Sequence, residues 1–133
     1  LSYTTSLHLN VNQIQSFDAT GTGLSSITKL RLADNQLTTF DATGLSSLTG
    51  LILDGNQLTS VLATDIDLSG WYALYTNVSN NNLSEAALIA FLDSLAVTTS
   101  GQIYYGGNPG SAAFETYLAS NDDKGYIWLN SIT

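Results

Sequence analysis

The stretch "LRLADNQLTTF" at Leu30–Phe40 is followed 21 positions later by "LILDGNQLTSV" at Leu51–Val61. In both stretches two leucines flank a variable residue, an asparagine comes three positions after the second leucine, and a further leucine follows it. Alternation with a period of two is typical of a short strand that buries one of its faces. The asparagine suits the turn after the strand, because its short amide can bond neighbouring backbone groups.

The same arrangement recurs along the chain. The aligned asparagines are Asn12, Asn35, Asn56, Asn81 and Asn108. A sixth copy, "YIWLN" at Tyr126–Asn130, has the strand pattern but no asparagine turn after it. Such copies predict stacked parallel strands with a ladder of asparagines in one domain, 1–133. The predicted repeats lie near 1–23, 24–44, 45–69, 70–96 and 97–120, with a terminal strand in 121–133.

This pattern resembles the leucine-rich repeat family. The residues that fall where the family buries apolar side chains are Leu37, Phe40, Leu45, Leu48, Leu51 and Leu53. The segment 37–60 looks like the short 21-residue repeat of bacterial surface and phage tail-associated proteins. The resemblance implies an α/β repeat solenoid with about six parallel strands on its concave face. Because the chain begins at Leu1 without Met, we expect it to belong to a longer protein.

The connections between the predicted strands change along the chain. The early connection "TTFDATGLSSLT" is too short and too rich in Thr, Gly and Ser for a helix, and it predicts an extended or irregular convex segment. The later segments "NLSEAALIAFLDSLAV" and "GSAAFETYLAS" carry helical spacing of apolar residues, with Ser84 and Ser111 placed as N-caps. The sequence therefore predicts two convex helices in the late repeats.

Composition excludes several classes of protein. With 133 residues, 44% of them hydrophobic, the chain can bury the core of one domain. Three basic residues against eleven acidic ones give a net charge of -8, which disfavours nucleic acid and anionic membranes as partners. The absence of cysteine excludes disulfides and thiolate metal sites. No apolar run approaches the roughly 18 residues of a membrane span, so no membrane insertion is predicted.

Stacked strands predict a binding surface, because their variable residues all point to the concave side. The predicted ligand-binding residues on that face are Arg31, Tyr75, Asn77, Tyr104, Tyr126 and Trp128. Tyrosine, tryptophan and arginine side chains are typical of binding hot spots. Two alternatives stay open: the last two aromatic residues cover an open end of the solenoid, or Lys29 and Arg31 only neutralise Asp34 and Asp54.

Catalytic residues, resident metals and cofactors are not predicted. The chain has one histidine, His8, and no cysteine, so a nucleophile and base pair has a single candidate base near one end. Asp65 and Asp67 in "ATDIDLSG" are a weak signal for calcium, because no further oxygen ligands follow at set spacing. Whether calcium binds there stays open.

Two functional hypotheses follow from these observations. The first is a non-catalytic recognition or adhesion module that binds a protein or a cell-surface glycan through the concave face. The second is a structural spacer or assembly module that contacts sister subunits within a larger surface or phage tail protein. Low charge with abundant Thr, Ser, Asn and Gly favours an extracellular place on a bacterial surface or a phage virion.

Overall fold

The repeats form a six-stranded parallel sheet in a computed structural model, which describes residues 5–20, 23–70, 75–98 and 100–130. Its strands, in their order across the sheet, are β1 Ser6–His8, β2 Lys29–Arg31, β4 Gly50–Ile52, β6 Thr76–Asn77, β7 Gln102–Tyr104 and β8 Ile127–Leu129. All of these pairings are parallel. The predicted α/β repeat solenoid with six strands on the concave face is thereby confirmed.

The register places one inward residue per strand in a continuous row. Leu7 pairs with Leu30, Leu30 with Leu51, and Thr76 with Ile103. Leu30, Leu51 and Ile103 are fully buried. Thr76 takes a place that leucine holds in other repeats, and its hydroxyl accepts a hydrogen bond from the Leu51 N–H at 3.3 Å. Burial of the row explains why leucine recurs at this position.

The predicted asparagine ladder is confirmed. The buried Asn56 accepts a hydrogen bond from the Leu37 N–H at 3.0 Å, and its amide donates to the Leu32 and Leu53 carbonyls at 2.9 and 3.0 Å. Asn35, Asn81 and Asn108 likewise bond the preceding repeat twice: each accepts from a backbone N–H of its turn and donates to the carbonyl of the residue that follows its strand. Each asparagine therefore satisfies buried backbone groups in two adjacent repeats.

The residue before each ladder asparagine has a left-handed backbone. These residues are Val11, Asp34, Gly55, Asn80 and Gly107, with φ values of 57°, 56°, 72°, 53° and 71°. Glycine, asparagine and aspartate adopt this conformation at the lowest cost. At Gly55 a second constraint applies, because a Cβ atom there would collide with the carboxylate of Asp34 from the preceding repeat.

On the convex side, the early connections form extended structure, as predicted. β3 (Thr39–Asp41) pairs in parallel with β5 (Ser60–Leu62) in a separate two-stranded sheet. Phe40 and Val61, which are paired in that register, are buried. This second sheet closes the core opposite the six-stranded sheet in the early repeats.

The first convex helix, α1 (Glu85–Ser94), begins as predicted. The Ser84 hydroxyl accepts a hydrogen bond from the Ala87 N–H at 3.1 Å, which is an N-cap contact. Leu88, Phe91 and Leu92 form the buried face of the helix. The helix packs on β5 and on the second helix, so the layer of the solenoid opposite the sheet thickens here.

The second helix, α2 (Ser111–Asn121), corrects the predicted cap. Ser111 is the first helical residue, and Gly110 takes the cap position without a side-chain hydrogen bond. The Ser111 hydroxyl instead accepts from the Asn108 N–H and donates to the Tyr105 carbonyl, both at 3.0 Å. Serine at this place therefore supports the last asparagine turn. A Cβ on Gly110 would collide with the backbone at the start of α1, which explains the glycine.

Candidate ligand-binding face

The concave face consists of the side chains that the six-stranded sheet directs away from the core. Its central row is His8, Arg31, Ile52, Asn77, Tyr104 and Leu129, as the pairing register gives it. A second outward row lies two residues earlier in each strand. It contains Lys29, Gly50, Gln102 and Ile127. Tyr75 directly precedes β6 and extends this row.

Two tyrosines form an aromatic pair in the later half of the concave face. The rings of Tyr75 and Tyr104 meet edge to face, with centroids 5.2 Å apart and an angle of 74° between their planes. Both side chains are half-buried. Because each ring supports the other, the pair presents a rigid amphipathic surface, which is the type of surface that binding sites favour.

The predicted placement of Tyr126 and Trp128 on the concave face is wrong. Ile103 pairs with Trp128, and Tyr104 pairs with Leu129, so the tryptophan continues the inward row. A slip of one residue in register moves every side chain of a strand to the opposite face. Ile127, which is 44% exposed, and Leu129 take the two outward positions instead.

The packing around Trp128 explains why this strand turns its aromatic residue inward. Its ring meets four others edge on, at centroid distances between 5.2 and 6.2 Å, namely those of Phe91, Tyr105, Phe114 and Tyr126. The two late helices leave a wide space at this end of the core, and a tryptophan fills it better than a leucine. The alternative that these aromatic residues cover the end of the solenoid agrees with this packing.

Tyr126 has a buried structural environment. It is 4% exposed, its hydroxyl accepts from the Leu68 N–H at 3.1 Å and donates to the Ala96 carbonyl at 3.0 Å. Burial, with a smaller contribution from the charge of Asp67, raises the pKa of this phenol to about 12. The phenol therefore stays neutral at physiological pH and connects three repeats.

Asn77 lies on the concave face by register but is only 2% exposed. Its side-chain oxygen accepts from the Ser79 N–H at 2.9 Å and from the Ser79 hydroxyl. Both contacts stabilise the turn after β6. Its neighbour Ile52 is also buried, at 6% exposed, whereas Tyr104 in the same row is half-buried.

Two cations lie together in the earlier half of the concave face. Lys29 and Arg31 alternate along β2, so both point outward from the sheet. Burial, together with the charge of Arg31, lowers the pKa of the Lys29 ammonium. The Nε of Arg31 is buried without a hydrogen-bond partner. Neither side chain forms an ion pair within the described ranges, so the predicted neutralisation of Asp34 and Asp54 is not observed.

Two carboxylates border the same face where the strands end. Burial raises the pKa of Asp54, a hydrogen bond from its own backbone N–H lowers it, and the nearby charge of Asp34 raises it. Asp34 is exposed. This edge of the concave face therefore resists a further negative charge.

The structure describes Asp65 and Asp67, which are the candidate calcium ligands, and it describes two helices that can be checked as membrane spans. Asp65 and Asp67 are both exposed, and the Asp65 N–H donates to the Ser94 carbonyl at 2.8 Å. In residues 5–20, 23–70, 75–98 and 100–130, His, Cys, Asp and Glu form no group of three or more that could hold a metal ion. Neither of the two described helices has the length and apolar character needed to cross a bilayer.

The sheet, the inward leucines and the asparagine ladder define a parallel-strand solenoid with a concave face. The sequence model described as "Leucine rich repeat" matches residues 2–58. This part of the chain is therefore similar to leucine-rich repeats, whose modules generally bind proteins and whose fold is a non-catalytic binding fold. Searches of curated proteins and of solved structures found no match.

Sequence reasoning missed the outward positions of Ile127 and Leu129. The stretch "YIWLN" offered no signal that could place them, because apolar residues fill both faces of its alternation. The sequence places Lys29 on the concave face, but the predicted binding residues do not include it, because it could equally neutralise nearby acids. The absence of a carboxylate partner for it depends on side-chain positions in three dimensions, which spacing along the chain does not give.

Proposed function

We propose that the chain is a non-catalytic recognition module that binds a protein or a cell-surface glycan through its concave face. The observation that carries this proposal is the edge-to-face pair of Tyr75 and Tyr104, half-buried on adjacent strands. Paired rings on adjacent strands lose little entropy when they bind, and they can stack on an apolar side chain or on a sugar ring.

The location that suits this function is extracellular, on a bacterial cell surface or a phage virion. The composition supports it, because 11% of the residues are charged and the rest of the surface is rich in uncharged polar residues. The family's general role in protein binding makes a protein ligand the first candidate and a glycan the second.

Binding can be tested with an array of bacterial surface glycans and an array of purified extracellular proteins. We expect saturable binding by the wild-type chain and a loss of about tenfold or more in affinity for Tyr104→Ala, as for a hot-spot tyrosine. The matched control is Tyr117→Ala. Tyr117 is also half-buried, but it lies on α2 and stacks on Phe114 at 6.3 Å, away from the concave face.

Equal losses in the two variants would contradict a site at the tyrosine pair. A folded Tyr104→Ala variant with unchanged affinity for an array ligand would do the same. If neither array gives a ligand for the folded wild-type chain, the assembly function described next becomes the better account.

The second candidate function is a spacer or assembly module that contacts sister subunits or adjoining domains. The observation that favours it is β8, where Ile127 is 44% exposed and which is an edge strand of the sheet that the described residues form. Exposed edge strands with apolar side chains pair readily with other chains.

Sedimentation of the isolated chain over a wide concentration range tests this second candidate. Self-association should weaken in Ile127→Lys, because a lysine on an edge strand opposes strand pairing. Val97→Lys is the control, since Val97 is also exposed but lies outside the strands. A wild-type chain that stays monomeric at all concentrations would count against association through its own edges.

A further inference from the structure

We propose that Lys29 and Arg31 form a subsite for a single carboxylate, carried by an aspartate or glutamate side chain of a protein ligand. This inference rests on the proposed recognition function and adds the chemical class of the group that is recognised. It concerns the earlier half of the concave face, whereas the tyrosine pair occupies the later half.

The positions of the two cations bring them to one surface. They are the first and third residues of β2, so their Cα atoms lie roughly 7 Å apart and their side chains share one face of the sheet. Lys29 is 5% exposed and Arg31 is half-buried. A carboxylate placed above β2 can therefore contact the guanidinium while it lies close to the ammonium.

Neither cation has a partner of its own. Within the described parts of the chain, neither side chain donates a hydrogen bond or forms an ion pair. The Nε of Arg31 is buried without a hydrogen-bond partner, and an acceptor supplied by a ligand would satisfy this donor. A chain with eleven acidic residues could readily supply carboxylates here, but it leaves this pair unneutralised.

A carboxylate satisfies both groups. The planar guanidinium binds it with two parallel N–H donors, which can include the unpartnered Nε once the side chain turns outward. The ammonium adds a point charge at short range. Binding would also remove the repulsion between two like charges that lie two residues apart.

The surrounding charges select one carboxylate rather than a polyanion. Asp34 and Asp54 border the concave face beyond Arg31 and Ile52, where they repel a second negative group. The whole chain carries a net charge of -8, which opposes long-range attraction of nucleic acids or sulfated polymers. Short-range binding of one carboxylate survives this field because salt screens distant charges beyond roughly 8–10 Å.

The spacing of the face favours a protein as the source of the carboxylate. Arg31 and Tyr104 are separated by three strand intervals, through Ile52 and Asn77, or about 14 Å. An extended peptide covers this distance in about four residues. One short segment can therefore place an acidic side chain at β2 and an apolar one at the tyrosine pair, and the family generally binds proteins.

The test is an NMR titration of the ¹⁵N-labelled chain with acetylated, amidated glutamate, followed at the Arg31 Nε–H and the β2 amides. The glutamine analogue, which differs only at the carboxylate, is the matched ligand control. We expect saturable shifts with the glutamate compound alone. Arg31→Gln and Lys29→Gln should each weaken binding by about tenfold, as expected for loss of a charged hydrogen-bond donor.

A matched variant separates local contact from net charge. Lys124→Gln removes the same charge at a distance, since the Lys124 ammonium donates to the Leu95 carbonyl at 2.8 Å beyond α1. It should leave glutamate binding unchanged. If burial of Lys29 prevents Lys29→Gln from folding, Arg31→Lys decides the question, because it keeps the charge but loses the planar fork and should bind more weakly than wild type.

Three results would overturn the proposal. The first is equal shifts with the glutamate and glutamine compounds, and the second is equal weakening in Lys124→Gln and Arg31→Gln. The third is tighter binding of glucuronate than of the glutamate compound, which would assign the subsite to an acidic sugar. The Tyr104→Ala variant should retain glutamate binding, so failure of the tyrosine site and failure of the carboxylate subsite give different patterns.

Discussion

The hydroxyl of Tyr126 accepts a hydrogen bond from the backbone N–H of Leu68 at 3.1 Å, across 58 residues of sequence. The same oxygen donates to the Ala96 carbonyl at 3.0 Å. A single side chain directly before the last strand thus satisfies backbone groups of two earlier connections, outside the regular strands and helices. Removal of that oxygen should therefore leave buried polar groups without partners.

Tyr126→Phe should lower the free energy of unfolding by about 1–3 kcal/mol, because the Leu68 N–H loses its acceptor inside the fold. Urea denaturation measures the change. The control is Tyr104→Phe, whose hydroxyl has no hydrogen bond to the described residues and whose removal should be nearly neutral. Similar losses in the two variants would show that the Tyr126 hydroxyl bonds contribute little to stability.

The same phenol predicts a loss of stability at alkaline pH. Its pKa in the folded chain is about 12, above the value near 10 of an unfolded tyrosine. The contribution to stability is therefore complete below about pH 10 and is lost as the pH rises from there through about 12, where the unfolded chain releases more protons.

The measurement is the difference in unfolding free energy between wild type and Tyr126→Phe from pH 8 to 12. A difference is needed because burial, and then the charge of Glu115, also raises the pKa of Tyr105. The advantage of wild type over the variant should shrink with rising pH. A constant difference across this range would contradict the raised pKa of Tyr126.

The asparagine ladder predicts that Asn56→Ala is among the costly polar substitutions in the chain. Its removal leaves the Leu37 N–H and the Leu32 and Leu53 carbonyls without their partner, and the expected loss is roughly 3 kcal/mol or more. Asn12→Ala is the control, because Asn12 is exposed and bonds only the Leu9 and Asn10 carbonyls.

Thermal and urea unfolding of the two variants give the comparison. Asn12→Ala should cost less than about 1 kcal/mol, as exposed substitutions usually do. If the two asparagines contribute equally, the ladder is a feature of each turn by itself and does not join adjacent repeats.

The sequence predicted the sheet and the ladder because one physical requirement recurs in every repeat. Leu30 and Leu51 must be buried and Asn35 and Asn56 must satisfy buried backbone, so the same residues return at nearly the same spacing. In the last described strand, β8, apolar residues occupy both faces, and no ladder asparagine follows it among the described residues. In this strand, the alternation alone could not decide which face is inward.

The sequence also could not predict which side chain fills the core beneath the two helices. Trp128 faces inward because Phe91 and Phe114, brought by the two convex helices, form an aromatic space that it completes. Likewise, Ser111 has the composition of a helix cap but supports the turn at Asn108. The rings that hold Trp128 inward are distant from it in sequence. Ser111 lies one position after the residue that takes the cap position predicted for it.

The inward position of Trp128 predicts opposite results for two aromatic truncations. Trp128→Ala should lower the free energy of unfolding by about 3 kcal/mol, since it removes a ring packed against four others. Tyr104→Ala removes a half-buried ring whose one aromatic contact among the described residues is Tyr75, and about 1 kcal/mol is expected. Urea denaturation of both variants at one pH measures the contrast.

The same two variants should differ in ligand affinity in the opposite direction, with Tyr104→Ala the more strongly affected. A folded Tyr104→Ala chain loses the concave ring pair, whereas Trp128→Ala, assayed below its unfolding temperature, keeps the pair and should keep the affinity of wild type for an array ligand. A Tyr104→Ala variant as unstable as Trp128→Ala would contradict this division, because Tyr104 would then be a core residue and unavailable to a ligand.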